Sequence, residues 1–234
     1  MVHLLDLSNP DKPSCDILAT LQRSRRADGF SVAIYKDELV FLTGGFLANK
    51  RAVSIYSIAQ DRWAKGPSLN SERYQHSSVC SAQRVFVIGG PFMNSIESLH
   101  AELQDRWCVI GVKLELLNLR SFPALAEINS NLIAVFGGLG NWGNNLSDGF
   151  LFYTNSNTLK PILGSKDFVK FHCRNPVRKD GPHKFITVGK DSYSSWYMIE
   201  LTTNFDFTQF ETRSIKVCSH DVCSDESPQE ALNK

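Results

Sequence analysis

The chain lacks a run of apolar residues approaching the ~20 needed to cross a bilayer as a helix. It also lacks a charge imbalance: 25 Lys and Arg stand against 24 Asp and Glu, for a net charge of +1. That balance gives no global field for nucleic acid or an anionic membrane and leaves only local patches. Lysines and arginines do not interleave with aromatics as an RNA-binding surface requires. The N-terminal Met1-Val-His-Leu-Leu-Asp6-Leu7 has no basic lead and carries an aspartate among its apolar residues, so it is not read as a secretory signal. Cysteine is scarce and scattered, at 15, 80, 108, 173, 218 and 223, several of them in apolar strands. Such thiols suit a reducing compartment better than a disulfide framework, and the protein is expected to be cytoplasmic.

Catalytic signatures are missing as well. No Gly-x-Gly-x-x-Gly follows a strand, and there is no Walker loop, Gly-x-Ser-x-Gly elbow or His-Glu-x-x-His helix. Asp and Glu are scattered without a convincing acid/base pair. Cys218-Ser-His220-Asp-Val-Cys223 holds metal-capable residue types, but it offers three ligands on one short tail and no second set elsewhere. No enzyme activity, cofactor or metal is expected.

What the chain does have is an internal repeat. Arg73-Tyr-Gln-His76 leads to Val85-Phe-Val-Ile-Gly89-Gly90, then to Ile96–His100, then to Gln104-Asp-Arg-Trp107. Gln60-Asp-Arg-Trp63 repeats the same tetrapeptide, and Gly44-Gly45 and Gly137-Gly138 repeat the glycine pair after a strand. Arg26, Arg73 and Arg120 stand 47 residues apart. An aromatic or histidine, Tyr56 or His100, lies seven residues before each QDRW tryptophan. A strand-like period of roughly 45–50 residues indicates an all-β propeller of four-stranded antiparallel blades.

Blades are expected near 26–70, 71–115, 118–165 and 166–212, within a propeller over 1–218 and ahead of a polar tail at 219–234. In the first three, strands are expected at Phe30–Tyr35, Leu39–Thr43, Val53–Ile58 and from Trp63; at His76–Cys80, Val85–Ile88, Ile96–Ala101 and Trp107–Val112; and at Ala124–Ile128, Leu132–Phe136, Phe150–Tyr153 and Leu159–Leu163. In the fourth they are placed at Phe168–Cys173, Phe185–Gly189, Trp196–Leu201 and Phe205–Phe210, with Asn175–His183 as a long first hairpin and Arg213–Val217 beginning another blade. Residues 1–22 read as two strands completing a blade, against a competing helix over Asp16–Arg23. The ring would be small, divergent or partial, about four blades plus a composite one.

The order of apolar strand, strand ending in Gly-Gly, aromatic and tryptophan resembles the kelch repeat. The resemblance spans roughly residues 26–210 and implies a kelch-type β-propeller. It departs from the six or seven blades usual in that family, and no helical oligomerisation domain accompanies it. Gly44, Gly45, Gly89, Gly90, Gly137 and Gly138 are read as structural, allowing positive φ or close backbone approach. Trp63 and Trp107, with their partner aromatics, are expected to pack between blades. His76 is read as structural.

If the first strand is innermost, as in kelch proteins, Arg26, Arg73 and Arg120, with Lys170 as a looser fourth, ring the channel at one face. There they either grip a carboxylate or phosphate of a partner or brace neighbouring blades. Trp142, in the polar loop at the same end, either anchors an interface or tucks back over the surface. The expected function is a protein–protein interaction module, binding an acidic or phosphorylated segment or a flat protein surface. Alternatives are an enzyme acting on carbohydrates or metabolites, and a structural subunit of a larger assembly. The expected partner is another protein, with no nucleic acid and no membrane; the sequence leaves the oligomeric state open.

Overall fold

Short apolar runs separated by turn residues pair here with their immediate sequence neighbours. The computed structural model describes residues 2–6, 14–19, 29–46, 50–112, 120–140, 143–146, 148–162, 178–179, 181, 183–190, 196–204 and 210–218. Every regular element among them is a strand. β1 (Val2–Asp6) and β2 (Ser14–Ala19) form an antiparallel hairpin. Residues Asp16–Ala19 are therefore extended, which removes the helical alternative there.

Four four-stranded antiparallel sheets follow, each in simple up-and-down order. The first contains β3 (Ser31–Tyr35), β4 (Leu39–Thr43), β5 (Val53–Ser57) and β6 (Arg62–Lys65). The second contains β7 (His76–Ser81), β8 (Arg84–Gly89), β9 (Ile96–His100) and β10 (Cys108–Ile110). The third contains β11 (Ala124–Asn129), β12 (Leu132–Phe136), β13 (Gly149–Tyr153) and β14 (Thr158–Pro161). The fourth contains β15 (Arg178–Lys179), β16 (Lys184–Lys190), β17 (Trp196–Thr203) and β18 (Phe210–Cys218).

In the first three sheets the expected strands hold to within two residues at their ends. In the fourth, only Phe210 of the expected last strand Phe205–Phe210 falls in β18, residues 205–209 lying outside the described residues, and two corrections follow. The first strand of this sheet is Arg178–Lys179, which lies inside the stretch expected to be a hairpin loop. The expected first strand, Phe168–Cys173, lies outside the described residues. Arg213–Val217 belongs to β18, which pairs with β17 as the fourth strand of the same sheet and begins no new blade. The tail at 219–234 lies outside the described residues.

The sheets stack through their first strands: β3 lies against β7, β7 against β11 and β11 against β15. The second strands of the first three sheets are buried on both faces, which is why β8 reads as an apolar run. Val85 and Val87 join a core with Phe41, Val53 and Ile55 of the first sheet. Phe86 and Ile88 point the other way, into a core with Ile133, Val135 and Phe152 of the third.

Backbone hydrogen bonds link the segments that enter successive first strands. Gln75 N–H donates to the Gly29 carbonyl at 2.7 Å, and Phe122 N–H to the Gln75 carbonyl at 2.6 Å. Gly29, Gln75 and Phe122 all take positive φ at this repeated position, 73°, 54° and 52°.

Candidate functional site

The repeated arginines and glycine pairs converge at one end of the sheets, where first strands begin and second strands finish. Arg73 enters the second sheet there with its side chain fully buried. Its Nε donates to Glu97 Oε1 at 2.9 Å, its Nη1 to the Gly89 carbonyl at 2.9 Å and its Nη2 to Ser95 Oγ at 2.8 Å. Glu97 is equally buried, and it also accepts from the Asn70 and Ser71 amides at 2.6 and 3.1 Å. Arg120 repeats this in the third sheet. Its Nη1 donates to the Gly137 carbonyl at 2.9 Å and its Nη2 to Asp148 Oδ2 at 3.0 Å. Burial pulls the pKa of both guanidinium groups below the ordinary arginine value, and the facing carboxylate opposes that shift. Both remain cations, because arginine does not lose its proton in proteins.

These positions correct the expected role of Arg73 and Arg120. Neither guanidinium reaches solvent, and each is occupied by carbonyl and carboxylate oxygens of its own sheet, so neither is presented to a partner. The bracing role left open by the sequence is the one their geometry fits. Arg26, Lys170 and Trp142 lie outside the described residues.

The glycine pairs complete the brace. Gly45 N–H donates to the carbonyl of Arg73 and Gly90 N–H to that of Arg120, both at 2.9 Å. Each arginine thus holds the second-strand carbonyl of its own sheet with its side chain and the glycine amide of the preceding sheet with its main chain. A Cβ on Gly44 would collide with the Arg73 carbonyl, and one on Gly89 would lie 2.6 Å from the Arg120 carbonyl. At these two positions the approach of the next sheet's backbone, together with positive φ, requires glycine. In the third sheet Gly137 supplies the carbonyl for Arg120, and the Gly138 carbonyl accepts from the Leu146 amide at 2.9 Å.

His76 is buried beside this joint. Its Nε2 lies 2.9 Å from Thr43 Oγ1, which in turn lies 2.8 Å from Ser78 Oγ. Burial, reinforced by the Arg73 charge, pushes the His76 pKa down to about 3, so the ring is neutral at pH 7.

The tryptophans divide. Trp107 is buried in the core between the first and second sheets, and its Nε1 donates to the Pro67 carbonyl at 2.9 Å. Trp63 lies across from Tyr56 within its own sheet, ring centroids 5.1 Å apart, and its indole nitrogen has no partner among the described residues. Tyr56 and Trp63 pair directly in register. In the second sheet Cys108 pairs with Ser98, which puts Leu99, not His100, opposite Trp107. The loop there is one residue longer, so the seven-residue spacing from His100 is not a structural equivalence.

Exposed aromatic rings lie at the same diglycine end, and sequence reasoning missed them. Gly90-Pro91-Phe92-Met93 forms a turn closed by a 3.1 Å bond from the Met93 amide to the Gly90 carbonyl. Phe92 takes the third position at φ 60°, where glycine or asparagine is favoured, and its side chain is 70% exposed. Holding a bulky residue there costs about 1–3 kcal/mol. Phe46, in the matching loop of the first sheet, is also exposed and meets the Tyr74 ring edge-on at 5.0 Å. Lys50 lies 5.4 Å from the centre of that Tyr74 ring. The Gly-Pro pair before Phe92 was the available signal.

No cluster of metal-binding side chains occurs among the described residues, and no helix there is long and apolar enough to cross a membrane. No protein-family model matches the chain, and no curated protein matches it.

Proposed function

We propose that this chain is a kelch-type β-propeller, small or partial, that works as a protein–protein interaction module and binds its partner through the diglycine end. The propeller reading is supported by successive up-and-down sheets stacked through their first strands, with arginine and glycine pair recurring at the first two junctions. The interaction reading is carried by Phe92, a phenylalanine held outward on a turn whose backbone favours glycine. A large exposed ring fixed by its backbone loses little freedom on docking, and aromatic anchors of this kind dominate interface energies. Phe46 extends the apolar surface.

With the Arg73 and Arg120 guanidinium groups enclosed, the partner is read as a flat apolar protein surface in preference to an acidic or phosphorylated segment. Free thiols at Cys80 and Cys108 support a cytoplasmic setting.

Phe92→Gly separates binding from folding, because it removes the ring and relieves the strained backbone together. Affinity capture with the native chain is expected to enrich a protein that Phe92→Gly does not, while the variant melts no lower than the native chain. Capture of the same partner by both would overturn the Phe92 surface.

A further inference from the structure

An opening of about 320 Å³ lies between the second and third sheets, at the end opposite the glycine pairs. Its walls include Arg84 and Phe86 from β8, Ser98 from β9, Ile110 from β10, and Thr154 and Asn157 from the turn between β13 and β14. The corresponding place between the first and second sheets is filled. By register, Leu39 stands where Arg84 does, Ile55 where Ser98 does and Tyr35 where Ser81 does. Leu39, Ile55 and Tyr35 close against the buried Ala101, whose counterpart across the opening is Thr154. Tyr35 Oη and Lys36 Nζ then reach Glu102 at 2.7 and 2.9 Å and fasten the rim. The scaffold can therefore close this seam with apolar side chains, and the second seam instead carries polar ones around a cavity.

Arg84 gives the cavity its chemistry. Its Nε and Nη2 both donate to the buried Ser98 Oγ, at 3.2 and 2.7 Å. That hydroxyl fixes one edge of the fork and occupies two of the five guanidinium donors. No carboxylate among the described residues pairs with Arg84. A half-buried, oriented cation without a carboxylate partner among the described residues, with hydroxyl and amide groups on the facing wall and an apolar floor, suits an anion with a small apolar body. Guanidinium groups bind carboxylate and phosphate oxygens in the same forked geometry. The volume lies at the lower end of small-molecule sites.

We propose that the cavity between the second and third sheets binds a small organic anion, a carboxylate or a phosphate monoester, anchored by Arg84. This site is separate from the diglycine end and independent of any partner bound there.

The exposed Cys108 thiol lies in the cavity wall and provides the readout. Alkylation of Cys108 in the full chain by neutral iodoacetamide, followed by peptide mass spectrometry, is measured with benzoate, phenyl phosphate or neutral benzamide present. One of the two anions is expected to slow alkylation about tenfold when present at roughly ten times its Kd, and benzamide is expected to leave it unchanged. Protection by benzoate alone identifies carboxylates as the source, and protection by phenyl phosphate alone identifies phosphate monoesters. Arg84→Leu installs the residue the first sheet uses at this place and is expected to abolish protection. Should that variant fail to fold, Arg84→Gln, which keeps length without charge, is expected to do the same. Absence of protection by both anions, equal protection by benzamide, or protection that survives loss of the Arg84 charge would each overturn the proposal.

Discussion

The seam between the first and second sheets and the seam between the second and third share one end and differ at the other. At the diglycine end both are joined alike, with the Arg73 carbonyl on Gly45 and the Arg120 carbonyl on Gly90 at equal distance. At the opposite end the first seam is packed by Tyr35, Leu39 and Ile55, whereas the second carries Arg84 and Ser98 around a cavity. The ion pairs differ too: Glu97 is wholly buried, while the Asp148 side chain is 47% exposed. The spacing of the sheets is thus set by backbone contacts at one end. Side chains at the other end are free to vary, and that is where a ligand site can arise without loss of the stack.

The largest effect should come from breaking the buried half of this comparison. Glu97→Ala leaves Arg73 enclosed without its counter-ion and is expected to cost about 3–5 kcal/mol in denaturant unfolding. A loss no larger than that of Asp148→Asn would end the distinction between the two braces. Gly44→Ala drives a methyl group onto the Arg73 carbonyl and His76. It should cost about 1–3 kcal/mol, with the melting temperature as the readout.

His76 sharpens the comparison through pH. Its folded pKa of about 3 lies below the ordinary 6.5, so the unfolded chain binds a proton that the folded one refuses. This group brings no penalty above pH 6.5. As pH falls from there toward 3, stability should decline at up to about 1.4 kcal/mol per pH unit. A His76→Gln variant should lack that component of the slope; an unchanged slope would remove His76 from the account. Asp148→Asn comes last. Half in water and paired to a guanidinium that keeps its carbonyl partner, it should cost about 1 kcal/mol or less.

Much of the first three sheets was legible because glycine pairs, turns and apolar runs recur at nearly fixed spacing. The fourth was not. Arg178 and Lys179 form a strand through pairing with Ile186 and Phe185, and nothing in their own composition announces it. The recurrence of arginine was visible, but its partners were not. Glu97 and Asp148 lie 24 and 28 residues beyond their arginines, at different places in the repeat, so neither appears as a repeated acid. Whether a recurrent cation faces solvent or a buried carboxylate depends on that pairing. Phe92 escaped notice because exposure at a turn follows from backbone angles, not from residue type.

One arginine serving two sheets has a consequence for how damage spreads. Arg73 grips its own sheet by side chain and the preceding one by main chain, and Arg120 repeats this one sheet further on. Each joint involves only adjacent units, so the stack behaves as a linear chain of nearest-neighbour couplings. A side-chain lesion at Arg73 loosens the second sheet but leaves its main-chain bond to Gly45 chemically available. Shifting the Arg73 backbone would release both neighbours together. In hydrogen exchange, the first kind of lesion should remain within one sheet, and the second should appear as two sheets opening in concert.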